Sequence, residues 1–417
     1  MPYSTLQLPT PANQRIAIRV KPAAERTLRM GHPWLFDQSV TKLSHAGNAG
    51  DLAIVFDSKG HFLAAGLYDP YSTIRVRVLQ HRKPATINRD WFKAKLAAAA
   101  QLRAPLRTHA PVTATTGYRL IHGANDSFPG LVIDNYADTA VIKLYTHAWI
   151  PHLRDVLPAL ESIAPVKRLV LRLGQAMLEN PSALHGLRDG MILLGPDINK
   201  TIIFQENGLR FEVDPIHGQK TGFFLDQRDN RAQVEKFAQG KSVLNVFSYT
   251  GGFSVYAARG GAKHIVDVDA SQPALDAAIR NLTLNRHIPS VAAAIYESIA
   301  GDAFEVLSKM GKNKRSFDMV IIDPPSFAKN KTQIKRALSA YARLTGLGLG
   351  VLRPGGTLVQ ASCSSRVDAE TFFKTIHHTA AKAGRPLREI KRTGHALDHP
   401  ITFAESAYLK CLFAVAP

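Results

Sequence analysis

Residues 242–254, Ser-Val-Leu-Asn-Val-Phe-Ser-Tyr-Thr-Gly-Gly-Phe-Ser, decide the fold class of the second half of the chain. They read as a β-strand, a glycine turn and the start of a helix that runs to about Arg259. Gly251 and Gly252 let the backbone approach a ligand closely, and the helix start offers unpaired N–H groups. From Phe211 onward apolar strands alternate with helices, which predicts a doubly wound α/β sheet.

An acidic residue ends the next predicted strand. Asp269 closes His264-Ile-Val-Asp-Val-Asp, eighteen residues after Gly251, where a carboxylate can bind both hydroxyls of a ribose. The turn is not Gly-x-Gly-x-x-Gly, so a nucleoside without phosphates fits better than a dinucleotide, and S-adenosylmethionine is such a nucleoside. A further acid, Asp302, follows the next expected strand and could accept a hydrogen bond from an adenine amino group. Its alternative role is to cap a helix over residues 303–309.

A second strand of the predicted sheet ends in an acid, two prolines and an aromatic ring. Met319 to Ile322 reads as a buried strand, and the prolines that follow leave Asp323 and Phe327 at the carboxyl edge of the sheet. A carboxylate that accepts hydrogen bonds from a base edge, beside a ring that stacks on its face, suits a flipped-out or single-stranded nucleobase. The alternative is a strand followed by an ordinary proline-rich turn.

The two cysteines have different predicted roles. Cys363 ends a strand within Gly355–Ser365, and in a parallel sheet it shares an edge with Asp323. A thiol there can attack C6 of cytosine or uracil, which makes C5 nucleophilic enough to accept a methyl group, while Asp323 assists protonation near N3. A base must then remove the C5 proton. The alternative is a small buried residue, and packing is the prediction for Cys411, inside the final strand Tyr408–Val415.

The composition points to a polyanionic partner. The 417 residues carry 52 Lys and Arg against 33 acids, a net charge of +19, which favours nucleic acid; a generally basic protein is the alternative. No apolar run reaches the roughly 18 residues of a membrane span. The two cysteines have no metal-ligand spacing, so no metal is expected, and a reducing cytoplasm is the expected setting.

The first half of the chain predicts two smaller domains. Short strands over residues 15–80 predict a small β-barrel, and the alternation in Ile74–Val78 places Arg75 and Arg77 on one basic face. A basic stretch follows, partly on a helix near residues 91–102, and it is either a solvated charged face or a track for phosphates. The predicted domains are residues 14–85 (barrel), residues 86–200 (an α+β middle module) and residues 201–417 (a Rossmann-like sheet).

Over nearly its whole length the chain resembles the bacterial large-subunit ribosomal RNA 5-methylcytosine methyltransferases. The most specific block is Gly218-Gln-Lys-Thr-Gly-Phe-Phe-Leu-Asp-Gln-Arg-Asp-Asn-Arg231, which leads into the glycine turn. The other matching blocks are His32-Pro-Trp-Leu-Phe36 with Ile74-Arg-Val-Arg-Val78, Tyr118-Arg-Leu-Ile121, Asp126-Ser-Phe-Pro-Gly-Leu131, Asp323-Pro-Pro-Ser-Phe327 and Ser362-Cys-Ser364.

The resemblance implies an N-terminal PUA domain, a class I methyltransferase fold, S-adenosylmethionine as donor and a cytosine of 23S ribosomal RNA as acceptor. It makes Cys363 the nucleophile and Asp323 the residue that holds the base, and it makes a homodimer plausible. The residues that it implies at the cofactor are Asn245, Phe247, Tyr249, Gly251, Asp269, Asp302, Phe224, Asp226, Gln227 and Arg228. Those expected at the RNA are Pro324, Phe327, Arg75 and Arg77.

Several alternatives stay open at the level of sequence. Arg228 could instead pair structurally with a nearby acid, and Asp398-His-Pro400, which also matches a family block, is expected to form a structural loop. Ser326 stands where many RNA cytosine methyltransferases carry a second cysteine, so the base that removes the C5 proton is unassigned. Asp-Pro-Pro-Phe also resembles a motif of methyltransferases that act on base nitrogens, and a noncatalytic RNA-binding assembly factor is a further possibility.

Overall fold

The computed structural model describes residues 7–107, 113–328 and 330–417, which divide into two compact units. The first consists of residues up to Asn207 together with Val213–Leu225 and Leu397–Phe403; the second consists of Gly208–Glu212, Asp226–Ala396 and Ala404–Pro417. The predicted barrel and middle module therefore share one unit, to which two later segments return. The boundaries at residues 85 and 200 stay predictions.

The first unit opens with a six-stranded sheet of order β2-β6-β5-β4-β1-β3. Its interior comes from alternating apolar residues such as Ile16, Ile18 and Val55, all fully buried. Strand β1 pairs in parallel with β4, and the other pairs are antiparallel. The elements are β1 (Ile16–Val20), α1 (Pro22–Arg29), β2 (Trp34–Phe36), β3 (Val40–Leu43), β4 (Leu52–Phe56), β5 (Phe62–Tyr68) and β6 (Ile74–His81).

The rest of the first unit is built on a five-stranded sheet of order β11-β10-β9-β8-β7. Its core contains the aromatic side chains of Phe92, Phe128 and Trp149, and the first helix begins where the Asn88 side chain accepts a hydrogen bond from the Trp91 N–H. The elements are α2 (Arg89–Leu102), β7 (Gly117–His122), β8 (Leu131–Tyr136), β9 (Thr139–Leu144), α3 (Leu153–Ile163), β10 (Arg168–Leu173), α4 (Gln175–Leu178), β11 (Ile192–Leu194) and β12 (Ile202–Glu206).

The second unit is a seven-stranded sheet, of order β16-β15-β14-β17-β18-β20-β19, with connecting helices. Strand β13 (Leu209–Val213) has all but its last residue in this unit. The other elements of the second unit are α5 (Arg228–Phe237), β14 (Ser242–Val246), α6 (Gly252–Arg259), β15 (His264–Asp269), α7 (Gln272–Leu284), α8 (Pro289–Ala293), β16 (Ile295–Ala300), α9 (Ala303–Lys312), β17 (Phe317–Ile322), α10 (Ile334–Gly350), β18 (Leu352–Ser362), α11 (Ala369–Lys382), β19 (Arg388–Thr393) and β20 (Lys410–Ala416).

The strand order confirms the predicted doubly wound sheet. Strands β16, β15, β14, β17 and β18 are parallel, and the chain order reverses between β14 and β17. Open α/β sheets bind ligands at such a reversal, outside the carboxyl ends of the strands. Strand β20 then runs antiparallel between β18 and β19. No helix within the described ranges is both long and apolar enough to cross a membrane.

Candidate active site

The predicted site residues that follow the strands of the second unit come together at the carboxyl edge of its sheet. Asp302 follows β16, Asp269 ends β15, the glycine turn follows β14, and Asp323 and Cys363 follow β17 and β18. The Asp323 N–H donates to the Val246 carbonyl at 3.3 Å, which joins the turn after β14 to the Asp-Pro-Pro segment. The reversal point therefore separates the predicted cofactor residues, which follow β14, β15 and β16, from the predicted catalytic residues, which follow β17 and β18.

The turn after β14 has an unusual backbone. Phe247, Tyr249 and Gly251 have positive φ angles of 61°, 48° and 73°. Non-glycine residues in this left-handed region are uncommon and concentrate at ligand sites. A Cβ on Gly251 would lie 2.7 Å from the Ala278 Cβ, so this position has room only for glycine.

Two acids of β15 lie beside the turn, and one of them, Asp269, is hydrogen-bonded to it. Asp269 accepts hydrogen bonds from the Tyr249 N–H at 2.8 Å and the Ser271 N–H at 2.9 Å, one on each carboxylate oxygen. Each oxygen keeps a second acceptor site, which the predicted ribose hydroxyls could use. Burial raises the pKa of Asp267 to about 6, although hydrogen bonds from Ser254, Tyr296 and Asn245 oppose the rise.

Buried polar atoms around the turn fit a bound polar ligand. Among the residues that the structure describes, the Asn245 Oδ1, Ser248 Oγ and Thr250 Oγ1 atoms are buried without a hydrogen-bond partner. Leaving a buried polar atom unpaired costs about 1–3 kcal/mol. Three such atoms in the turn and at the end of the strand before it are suited to hydrogen bonds with the amino-acid end of S-adenosylmethionine.

Asp302 has the capping geometry that was its alternative role. Its Oδ1 atom accepts from the Phe304 N–H at 2.9 Å and the Glu305 N–H at 3.1 Å, at the start of α9. The cap is therefore confirmed, while adenine recognition by the same exposed side chain stays a prediction.

The predicted cofactor residues before β14 lie in different environments. Asp226, Gln227 and Arg228 are buried at the beginning of α5, where Asp226 accepts a 2.8 Å hydrogen bond from the Tyr408 hydroxyl. Arg228 forms the anticipated structural pair with an acid, Asp229, at 3.3 Å. Phe224 belongs to the first unit, with the Lys220 ammonium 4.2 Å from its ring centroid. Cofactor contacts of these residues remain predictions.

The thiol of Cys363 lies beside the Asp-Pro-Pro segment. Its Sγ atom is 3.9 Å from the Pro324 carbonyl oxygen, and the cysteine is partly exposed. The Pro324 side chain is buried, whereas Asp323 and Phe327 are partly exposed. The Phe327 ring packs against Tyr341, with ring centroids 5.2 Å apart. Nucleophile candidate, carboxylate and ring thus share one edge, as predicted for β17 and β18.

A group of hydrogen-bonded side chains, here called the hydroxyl network, consists of Ser326, Tyr341, Ser362 and Ser364, of which Ser326 is exposed and the other three are buried. The Tyr341 hydroxyl is 2.8 Å from the Ser362 Oγ and 2.7 Å from the Ser364 Oγ. Ser364 also lies 3.2 Å from the Ser326 Oγ and accepts from the Phe327 N–H at 3.1 Å. Burial raises the pKa of Tyr341, so its hydroxyl stays protonated. The network ties the Asp-Pro-Pro-Ser-Phe segment to the Ser-Cys-Ser segment.

The two predicted RNA contacts of the first unit are not alike. Arg77 is buried, pairs with Asp69 at 3.4 Å and donates to the Ile74 carbonyl and the Ser72 hydroxyl. Its predicted place on a basic RNA-binding face is therefore wrong, because the buried guanidinium is already bonded to groups of the same domain. Arg75 is partly exposed and donates to the Asp69 carbonyl at 3.0 Å, and its RNA contact stays a prediction.

The Asp398-His-Pro400 block is a structural loop, as expected. Asp398 accepts from the Arg119 N–H at 2.8 Å and from the Arg103 guanidinium, through its main-chain carbonyl, at 2.9 Å. His399 is buried, with its Nδ1 atom 3.0 Å from the Asp398 carboxylate. These buried contacts hold residues 397–403 to the first unit.

Sequence reasoning missed three features of the edge. Ser248 and Thr250 are not predictable as site residues, because hydroxyl side chains in a turn carry no distinctive sequence pattern. Tyr341 lies on α10, far from either motif in the chain. Lys410 did leave a signal, since a lysine at the start of an apolar strand is unusual, but its partners could not be foreseen.

Two family models match the chain. A model of S-adenosylmethionine-dependent methyltransferases matches residues 190–411, and a PUA-like domain model matches residues 18–81.

Curated relatives match over almost their full length. A ribosomal RNA large subunit methyltransferase of Deinococcus radiodurans is 44% identical over 98% of this chain and 99% of its own. The ribosomal RNA large subunit methyltransferase I of Aliivibrio fischeri is 37% identical over 95% and 98%. Among solved structures, a protein described as a methyltransferase and complexed with SAH has a TM-score of 0.80 and 24% identity, covering 96% of this chain and 99% of its own. At that identity the structural match shows the fold.

Proposed function

The chain belongs to the S-adenosylmethionine-dependent large-subunit ribosomal RNA methyltransferase family, and we propose that it methylates C5 of a cytosine in 23S ribosomal RNA through a covalent bond between Cys363 and C6. The observation that carries the proposal is the Cys363 Sγ atom, 3.9 Å from the carbonyl of Pro324, on the same edge as Asp323. Methylation of a base nitrogen needs no thiol at this position.

The donor half of the site accounts for the other substrate. S-adenosylmethionine supplies an electrophilic methyl group when it is bound. Asn245 at the end of β14 and Phe247, Tyr249 and Gly251 in the turn after it would hold its methionine end, and the unpartnered polar atoms of Asn245, Ser248 and Thr250 support this assignment. Asp269 would bind the ribose with its remaining acceptor sites, and Asp302 would bind the adenine amino group.

On the acceptor side, the chain's own residues make and break one bond. The Cys363 thiolate forms a bond to C6, so that the electron pair of the C5–C6 double bond becomes available at C5 for the methyl group. Asp323 holds the base edge and assists protonation at N3. After transfer a base takes the C5 proton, the electrons of that C–H bond restore the double bond, and the sulfur leaves as thiolate.

A trapped adduct tests this chemistry. RNA that contains 5-fluorocytidine at the target cannot release a C5 proton, so the wild-type protein should form a denaturation-resistant complex with it. Cys363→Ala should abolish the complex and lower methyl transfer by at least about 10³-fold. Cys411→Ala is the matched control: Cys411 is buried within β20 and should not be needed for the complex.

Each competing function predicts a different result. A nitrogen methyltransferase would keep its activity in Cys363→Ala, and mass mapping of ribosomal RNA would find the methyl group on a base nitrogen. A noncatalytic assembly factor would bind RNA and give no heat of S-adenosylmethionine binding in calorimetry. Either result would contradict the C5 mechanism.

The remaining partners follow from the same family. The net charge of +19 and the PUA-like match over residues 18–81 support ribosomal RNA as the partner. Two free cysteines are consistent with a reducing cytoplasm as the setting. Homodimerisation stays a prediction, which analytical ultracentrifugation would test.

A further inference from the structure

Lys410 is a buried lysine at the start of β20, and its neighbours make it unusual. Strand β20 pairs antiparallel with β18 in a register that sets Lys410 opposite Ser362, the residue before Cys363. The side chain is only 3% exposed. Its ammonium donates to the carbonyls of Ser364 at 2.5 Å, Val367 at 2.6 Å and Tyr408 at 3.1 Å. Each of its three protons therefore has an acceptor.

Two of those carbonyls belong to residues 363–367, the Cys363 turn, which connects β18 to α11. Lys410 binds this turn near its beginning and at its end. Ser364 is thus held twice, by Lys410 at its carbonyl and by the hydroxyl network at its side chain. Because Cys363 immediately precedes Ser364, both anchors restrict where the sulfur can lie.

The charge of Lys410 is not balanced by a direct ion pair. Its acceptors are neutral carbonyls, and within the described part of the chain no carboxylate pairs with it. Burial lowers the pKa of Lys410 to about 8, while the nearby Cys363 and Asp368 oppose the fall. The protonated form of Lys410 consequently predominates at pH 7. Asp368 is exposed at the start of α11, where solvent screens its charge, and of these two groups the partly buried Cys363 has the larger effect on the pKa of Lys410.

We propose that Lys410 is a positioning residue for Cys363, which fixes the turn that presents the sulfur and favours its thiolate form through a buried positive charge. A neighbouring cation is a general means of activating a cysteine. The role rests on the proposed function of Cys363 as nucleophile. Lys410 is not the missing base, because its three N–H groups are engaged by carbonyls and the protonated ammonium has no lone pair.

The test is the pH dependence of Cys363 alkylation by iodoacetamide, without RNA and followed by peptide mass spectrometry. In the wild-type protein the midpoint should lie below about pH 8.5, the ordinary value for a free thiol. Lys410→Met removes charge and hydrogen bonds, Lys410→Gln keeps a donor without charge, and Lys410→Arg keeps the charge. Met and Gln should slow alkylation about tenfold at pH 7, and Arg should restore most of the rate.

Further measurements separate charge from folding. Each variant should bind S-adenosylmethionine with unchanged affinity, and kcat for RNA methylation should fall with little change in KM. A folded Lys410→Gln protein with the wild-type alkylation midpoint would overturn the proposal. A wild-type midpoint at or above about pH 8.5 would overturn it without any variant, so a misfolded variant cannot leave the question open.

The outcomes also separate this inference from the proposed function. Alkylation requires neither RNA nor methyl transfer, so the influence of Lys410 on the thiol can be confirmed even if no 5-fluorocytidine adduct forms. Conversely, a trapped adduct with unchanged alkylation in all three variants would leave Cys363 as nucleophile and exclude Lys410.

Discussion

Arg77 in the first unit and Lys410 in the second are both buried cations on β-strands, and they are held in different ways. Arg77 has an acidic partner, Asp69, 3.4 Å away, whereas Lys410 has three main-chain carbonyls. Burial lowers both pKa values, to about 10 for Arg77 and about 8 for Lys410, and Asp69 opposes the fall for Arg77.

The two arrangements differ in which neighbouring groups the positive charge can act on. The Arg77 charge is cancelled locally by Asp69, so it contributes to the fold and little beyond it. The Lys410 charge is stabilised by neutral carbonyl dipoles, which do not cancel it. In an interior of low polarity its electric field therefore acts on neighbouring groups. A buried cation without a carboxylate is therefore the stronger sign of a functional site.

The largest effect is expected from breaking the compensated pair. Arg77→Met leaves the Asp69 carboxylate buried without its cation and should lower the free energy of unfolding by about 3–5 kcal/mol in urea titrations. The double variant Arg77→Met, Asp69→Asn should recover much of the loss, because no charge is then stranded. Wild-type stability in Arg77→Met would remove the contrast between the two cations.

A substitution in the turn after β14 provides a control that alters neither Arg77 nor Lys410. Gly251→Ala introduces a Cβ 2.7 Å from the Ala278 Cβ at a φ of 73°, which costs roughly 1–2 kcal/mol from the backbone alone. We expect at least about tenfold weaker S-adenosylmethionine binding in calorimetry, which corresponds to about 1.4 kcal/mol. The alkylation midpoint of Cys363 should not move. A moved midpoint would mean that thiol reactivity reports the whole edge rather than Lys410.

Removing one hydroxyl separates position from charge. Tyr341→Phe removes the hydroxyl that is hydrogen-bonded to both Ser362 and Ser364, and it should lower the free energy of unfolding by about 1 kcal/mol. It should lower kcat while the alkylation midpoint stays at the wild-type pH, since no charge changes. An alkylation shift as large as that of Lys410→Gln would show that anchoring of the Cys363 turn, rather than charge, controls the thiol.

The smallest effect is expected at Asp368. Its side chain accepts from the Thr371 N–H at 2.8 Å and caps α11, a role that asparagine also fills. Asp368→Asn removes the exposed negative charge near Lys410 and should lower the alkylation midpoint of Cys363 by a few tenths of a pH unit. A rise in that midpoint would contradict the assigned direction.

The sequence was informative wherever a local pattern and a sheet edge agree. Strand His264–Asp269 was predicted with its observed bounds, and the pairing of β17 with β18 was implied by two parallel strands that end in candidate site residues. Apolar runs, glycines and prolines determine the conformation of nearby backbone, so their effects can be predicted from a single sequence.

Other features depend on contacts between distant residues. The alternation in Ile74–Val78 is the same whether the arginines face solvent or Asp69, and only the folded chain distinguishes these cases. The Lys410 ammonium meets a carbonyl 46 residues earlier in the chain, and a carbonyl group has no sequence signature. Asp302 could be read as cap or as ligand because the same carboxylate serves both.

The position of β20 has a consequence for how the protein assembles. It follows β14, β15, β17 and β19 in the chain, yet it lies between β18 and β19 in the sheet. The strands around the turn after β14 can pair early, because their contacts are close in sequence. The Cys363 turn, by contrast, has no contact with Lys410 until β20 joins the sheet. The proposed activation of Cys363 by Lys410 therefore requires the completed sheet, with β20 in place between β18 and β19.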